Sequence, residues 1–86
     1  MAKYRIEISR SAEKVLVALP KEVVSRIIAA IQGLAVNPYP MGYRKLAGHG
    51  EAYRIRVQVY RIIYEVHKDL VLVKVLKIGH RKDVYR

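Results

Sequence analysis

The sequence contains no cysteine, so neither a disulfide framework nor a thiolate metal site can hold the fold together. That suits a reducing compartment, and a cytoplasmic protein is expected. Apolar runs of bilayer-spanning length are missing, and no long basic amphipathic helix is visible, which sets a membrane partner aside. The opening residues MAKYRIEISR are charged and alternating where a signal peptide would be apolar. Repeats, linkers and low-complexity tracts are also missing. The 86 residues are expected to form one domain, 1–86, with one core. The scarcest commodity is negative charge: 7 Asp and Glu stand against 17 Lys and Arg, a formal net charge of +10. On so small a domain this points to a polyanionic partner, whether RNA, DNA or an acidic protein. Hydrophobic residues make up 52% of the chain, enough for a packed core and against disorder.

What is present divides into helical and strand-like patterns. KYRIEIS alternates Tyr4, Ile6 and Ile8 against Arg5 and Glu7, which predicts a strand. Ser9 or Ser11 can cap a following helix in which Ala12, Val15, Leu16 and Leu19 recur at helical spacing. Pro20 ends it and suits the start of a second helix, whose stripe is Val24, Ile27, Ile28, Ile31, Leu34 and Ala35. Asn37-Pro38-Tyr39-Pro40 closes that helix. Strand-like segments follow at about 52–57, 60–67 and 70–78. The expected fold is α+β, in the order β-α-α-β-β-β. A two-helix hairpin should pack on one face of a small, mainly antiparallel sheet.

The segment YRIRVQVYRIIYEV carries three arginines against one acid. With Gln58-Val59 as a two-residue turn, Tyr53, Ile55, Val57, Tyr60, Ile62, Tyr64 and Val66 share one face. Arg54, Arg56, Arg61, Ile63 and Glu65 share the other. A slip of one residue would scramble this division, so the pattern itself argues for the turn, although Gln-Val is poor turn chemistry. Extending the meander with Lys68-Asp69 as the next turn puts Val71, Val73 and Val75 on the apolar face. Lys74 then lies across from Ile63, with Leu72, Leu76 and Ile78 on the arginine face. That apolar strip can dock a partner segment or serve as core beneath the tail or the first strand.

Arg56 and Arg61 are directly opposed in this scheme. Like charges so placed destabilise a sheet by up to ~1 kcal/mol. An anion between them would be gripped by two guanidinium groups. Otherwise both side chains splay into water, with Glu65 easing the repulsion as a partner for Arg56 or Arg61. In LKIGHRKDVYR, a bend at Gly79 would bring Arg81 and Tyr85 back over the same face, with His80 a candidate proton shuttle or surface residue. His49 and His67 carry no evident chemistry. Neither HxxxH, CxxC nor paired carboxylates are present, so no metal or cofactor is expected.

YRIEIS–SAEK, LPKEVVSRI, KLAG, YRIRV, YRIIYEV and LKIGHRKDVYR together resemble the RelE branch of the RelE/ParE toxin superfamily over nearly the whole chain. The resemblance implies a fold related to small microbial ribonucleases. It implies a toxin that cuts mRNA in the ribosomal A site and is neutralised by a cognate, acidic, RelB-like antitoxin; the toxin–antitoxin complex is expected to bind operator DNA. It also implies a catalytic set of Arg56, Arg61, Arg81 and Tyr85. Arg54, Arg44, Lys45, Lys74 and His80 are the expected RNA contacts. Two departures stand out: Gln58-Val59 replaces the Gly-Asp common at this turn, and arginines replace the lysines of the best-known member. A guanidinium cannot readily serve as a base. The alternatives are a ParE-like, non-hydrolytic gyrase inhibitor and an inactive toxin that acts as a corepressor with its antitoxin.

Overall fold

The alternation at the start of the chain becomes strand β1 (Arg5–Ile8) in the computed structural model, which describes residues 3–46, 50 and 52–80. Ser9 then ends the strand and starts helix α1 (Arg10–Ala18). Its Oγ accepts from the Ala12 N–H at 3.1 Å and donates to the Leu76 carbonyl at 2.7 Å, so one hydroxyl caps the helix and ties it to the last strand. Pro20 is the N-cap of helix α2 (Lys21–Val36), where its missing N–H costs nothing. Ile27, Ile31 and Leu34 of α2 are buried. Val23 and Ala30 also pack against the core, so the buried stripe is rotated slightly from the predicted one.

Strands β2 (Arg44–Lys45), β3 (Ala52–Val57), β4 (Tyr60–His67) and β5 (Leu72–His80) complete a five-stranded sheet in the order β1-β5-β4-β3-β2. Only the β1–β5 pairing is parallel. The two-residue strand β2 was not anticipated. Both helices cover one sheet face. Tyr53, Ile55, Ile62, Tyr64, Val66, Val73, Val75 and Ile78 meet Ala12, Ile27, Ile31 and Leu34 there. No described helix is long and apolar enough to cross a membrane.

The β3–β4 hairpin has the register that parity predicts: Val57 faces Tyr60, Arg56 faces Arg61 and Arg54 faces Ile63. The unfavourable turn chemistry is visible as strain. Gln58 takes φ 57°, a left-handed conformation that disfavours side chains.

The last strand departs from expectation in two ways. The β4–β5 connection is not a two-residue Lys68-Asp69 turn. It is a 3-10 turn over Lys68–Leu70 followed by Val71 at φ 50°. Val71 is therefore exposed in the connection, and Lys74 faces Glu65 instead of Ile63. Further along, Tyr64 pairs with Val75 but Ile63 pairs with Lys77, which leaves Leu76 as the extra residue of a β-bulge. The bulge reverses parity, so Ile78 enters the core and Lys77 joins the arginine face. Gly79 is not a bend; it continues β5 opposite Arg61.

Candidate functional site

Once the registers are fixed, the open face of the sheet can be followed row by row. Nearest the hairpin turn, one row runs Arg56, Arg61, Gly79. The next runs Arg44, Arg54, Ile63, Lys77. These two rows hold five cations and no acid among the described residues. The third row, Ala52, Glu65, Lys74, Glu7, mixes both signs. The fourth, His67, Leu72, Arg5, lies farthest from the turn. Among the described residues charge on this face is therefore segregated, positive near the turn and balanced elsewhere.

The hairpin creates that segregation. The residues flanking a two-residue turn exchange backbone hydrogen bonds, so Arg56 and Arg61 form the next, non-hydrogen-bonded pair, with Cα atoms about 4.5 Å apart. Arg61 is half-buried and Arg56 exposed. Gly79 on the other flank of Arg61 adds no side chain to the row.

Glu65 does not neutralise this pair. Its carboxylate meets His67 Nε2 at 2.9 Å, away from the turn, and it stands four residues, roughly 13 Å, along the strand from Arg61. At the other side of the sheet Arg5 and Glu7 approach at 3.6 Å, both largely in solvent. The predicted apolar strip is reduced to Ile63 and Leu72, both buried on this face, with Leu76 half-buried at the bulge.

Arg44 reaches the site through the loop after α2, and a tyrosine cluster missed in the sequence fixes that loop. Tyr39 lies 5.3 Å from Tyr53, Tyr43 lies 5.9 Å from Tyr53, and Tyr53 lies 5.9 Å from Tyr64, centroid to centroid. The wholly buried Tyr64 donates its hydroxyl to the Pro38 carbonyl at 2.7 Å. Burial pushes its pKa well above the ordinary phenol range, with the neighbouring tyrosines adding to the effect. The Asn37 side chain accepts from the Tyr39 N–H at 3.0 Å, which tightens the first turn of the loop. Seven tyrosines in one short chain were the available signal, but their spacing does not reveal that four of them meet.

The structure thus brings Arg44, Arg54, Arg56 and Arg61 together. Lys45 is exposed beside them, but its register with Tyr53 places it on the other face. Lys74 sits one row lower. His80 pairs with Tyr60, its ring 6.0 Å away edge to face, on the helix-covered side of the strand. Arg81, Tyr85 and His49 lie outside the described residues. No group of three or more His, Asp or Glu residues is arranged to hold a metal ion among the described residues.

At the β3 edge a cleft of about 560 Å³ opens between α2 and the arginines, lined among others by Ala30, Gly33, Met41, Arg44, Arg54 and Arg56. It had no sequence signature, because its walls come from three separate segments.

Comparisons with known proteins match the chain over nearly its whole length. A family model described as "ParE toxin of type II toxin-antitoxin system, parDE" matches residues 6–85. The chain is 30% identical to a putative toxin RelE1 of Methanocaldococcus jannaschii, covering 98% of this chain and 97% of that protein. It is 28% identical to toxin RelG of Mycobacterium tuberculosis, over 96% and 97% respectively. Among solved structures, an archaeal RelE–RelB complex from Pyrococcus horikoshii OT3 matches with TM-score 0.83 and 32% identity, covering 95% of this chain and 99% of that one. The isolated E. coli RelE toxin matches in fold with TM-score 0.78 at 24% identity, over 90% and 83%.

Proposed function

Since this chain belongs to the ParE toxin family of type II toxin–antitoxin systems and is a RelE-like toxin, we propose that it acts as a ribosome-dependent mRNA endonuclease. The observation that carries this reading is the opposed Arg56–Arg61 pair, inside two rows of cations with no acid among the described residues. Like charges opposed across a strand pair are by themselves destabilising, whereas a phosphodiester between them gains two charge-assisted, forked contacts.

The reaction is attack by an RNA 2′-hydroxyl on the adjacent phosphorus, with expulsion of the 5′-oxygen and formation of a cyclic phosphate. Arg56 and Arg61, joined by Arg81, hold the phosphate and stabilise the charge that builds on its oxygens. Arg54 and Arg44 contact flanking phosphates on the open face, Lys74 extends the track, and Lys45, on the other face of β2, meets RNA only where it passes the sheet edge. Tyr85 is the general base. An arginine-rich site without a strong base depends on accurate substrate placement, which a ribosome holding the mRNA supplies. In the cell the partner is an acidic, RelB-like antitoxin; the solved RelE–RelB complexes of similar fold and the +10 charge support this. The toxin–antitoxin pair would act in the cytoplasm and bind operator DNA.

Mapping mRNA ends after expression, with purified ribosomes present and absent, tests the proposal. New ends should require ribosomes and vanish in Arg61→Ala. Equal cleavage of naked RNA would overturn ribosome dependence. The ParE description of the matching family favours a second reading, gyrase inhibition without hydrolysis. Toxicity that survives Arg61→Ala combined with Arg81→Ala, with gyrase inhibited, would establish it.

A further inference from the structure

Of the five cations in the two rows nearest the turn, four are arginines and one, Lys77, is a lysine. The difference matters because RNA cleavage needs a proton as well as positive charge. The 5′-oxygen is a poor leaving group as an alkoxide. A group that protonates it as the bond breaks is typically worth ~10²–10⁴-fold. A guanidinium holds its protons too tightly for this, whereas an ammonium releases one about a hundredfold more readily.

The lysine reaches this face through an irregularity of β5. Val73 and Val75 are buried against the helices, and strict alternation would send residue 77 the same way. The extra residue at Leu76 reverses the facing, so Lys77 stands exposed opposite Ile63. The buried Ile63 gives its stem an apolar surface to lie along. Gly79, two residues on, pairs with Arg61. Lys77 is therefore the diagonal neighbour of Arg61, with Cα atoms roughly 7–8 Å apart. A four-carbon stem covers most of that distance, and Gly79 sets no side chain in its way.

Other titratable groups are placed elsewhere. Glu65 is held by His67, Glu7 by Arg5, and Lys74 faces Glu65 one row lower. Tyr60 and His80 meet on the helix-covered side. Among the described residues Lys77 makes no ion pair, and it is the one member of the two cation rows that can readily give up a proton.

We propose that Lys77 is the general acid of the cleavage step, its ammonium donating a proton to the departing 5′-oxygen of the phosphate held by Arg56 and Arg61. The 2′-oxygen bonds to phosphorus as its proton passes to Tyr85. The bond from phosphorus to the 5′-oxygen breaks, and that oxygen takes the proton from Lys77 Nζ. The neutral amine then regains a proton from water. The assignment rests on the nuclease reading above.

A short mRNA on purified ribosomes tests it when made in two forms, with oxygen or with sulfur as the bridging 5′ atom at the cut. A thiolate leaves without help from an acid. On the oxygen substrate, Lys77→Ala should cut about 10²–10⁴-fold more slowly in single turnover. Lys77→Arg keeps the charge, so it should bind the ribosome–mRNA complex within about twofold of wild type yet remain comparably slow. On the sulfur substrate both variants should come within about threefold of wild type. Lys77 is exposed, so both variants should also keep the wild-type denaturant midpoint, which separates slow chemistry from misfolding. Lys77→Arg cutting the oxygen substrate at the wild-type rate would reduce Lys77 to a cationic contact and overturn the proposal, as would a defect that persists with sulfur. Wild type that cuts neither substrate would overturn the nuclease reading itself. Wild type and both variants cutting equally fast would overturn the lysine's role alone.

Discussion

The two faces of the sheet are built from alternate residues of the same strands, yet they answer to different demands. On the helix-covered face every choice serves packing: Ile62, Tyr64, Val73 and Val75 are fully buried against Ile27 and Leu34. On the open face the pairs near the turn set like charges against each other, which by itself destabilises a sheet. Arg56 stands opposite Arg61 and Arg44 opposite Arg54, with no carboxylate among the described residues of either row. Farther down the same face the chain returns to ordinary pairing, Glu65 with His67 and Arg5 with Glu7. The contrast within one surface singles out the turn end as the candidate site without reference to any relative.

The comparison makes opposite predictions for neighbouring residues of β4. Ile62→Ala should destabilise the protein by about 2–5 kcal/mol in denaturant titration, while activity per folded molecule stays intact. Arg61→Ala should do the reverse. RNA cleavage should fall by about 10²–10³-fold, whereas stability should change by no more than about 1 kcal/mol, because relief of repulsion on Arg56 offsets what Arg61 loses. A large loss of stability in Arg61→Ala would show that the guanidinium serves the fold, and the two faces would no longer be distinct in purpose.

Tyr64 tests whether the packing face also positions the other. Its hydroxyl donates to Pro38 and anchors the loop that delivers Arg44. Tyr64→Phe should cost about 1 kcal/mol near neutral pH. Burial raises the folded-state pKa above the ordinary value near 10. The hydroxyl's contribution is therefore complete below about pH 10 and is lost as pH rises from there toward the folded value. Each pH unit beyond 10 should remove about 1.4 kcal/mol from wild type relative to Tyr64→Phe. Denaturant titrations at neutral and strongly alkaline pH would show the gap closing; a constant gap would mean that Tyr64 ionises freely in the folded protein.

Legibility in the sequence follows from how each feature is specified. The β3–β4 register could be read because period-two alternation on both arms admits one turn position, and that alone isolates Arg54, Arg56 and Arg61 on one face. The β4–β5 register could not, because a single bulged residue at Leu76 leaves no compositional trace yet reverses the facing of Ile78 and Lys77. The Ser9 cap was one of two offered by the sequence, and its bond to Leu76 is tertiary. The tyrosine cluster and the Gly33 cleft depend on which distant segments meet, information that local periodicity does not hold.

The smallest expected effect concerns the turn that aligns the arginines. Gln58 holds a left-handed φ at the first central position, where glycine is at ease and a side chain is strained by roughly 1–2 kcal/mol. Glycine also gives the unfolded chain more freedom, which offsets part of the relief. Gln58→Gly should therefore stabilise the protein by about 0.5–1 kcal/mol in denaturant titration. The arginine register depends on turn length, not on this side chain, so RNA cleavage should not change. Destabilisation instead would mean that the Gln58 side chain makes a contact worth more than the strain. A change in cleavage at equal stability would mean that the turn itself touches RNA, extending the functional end of the sheet past its last pair of opposed arginines.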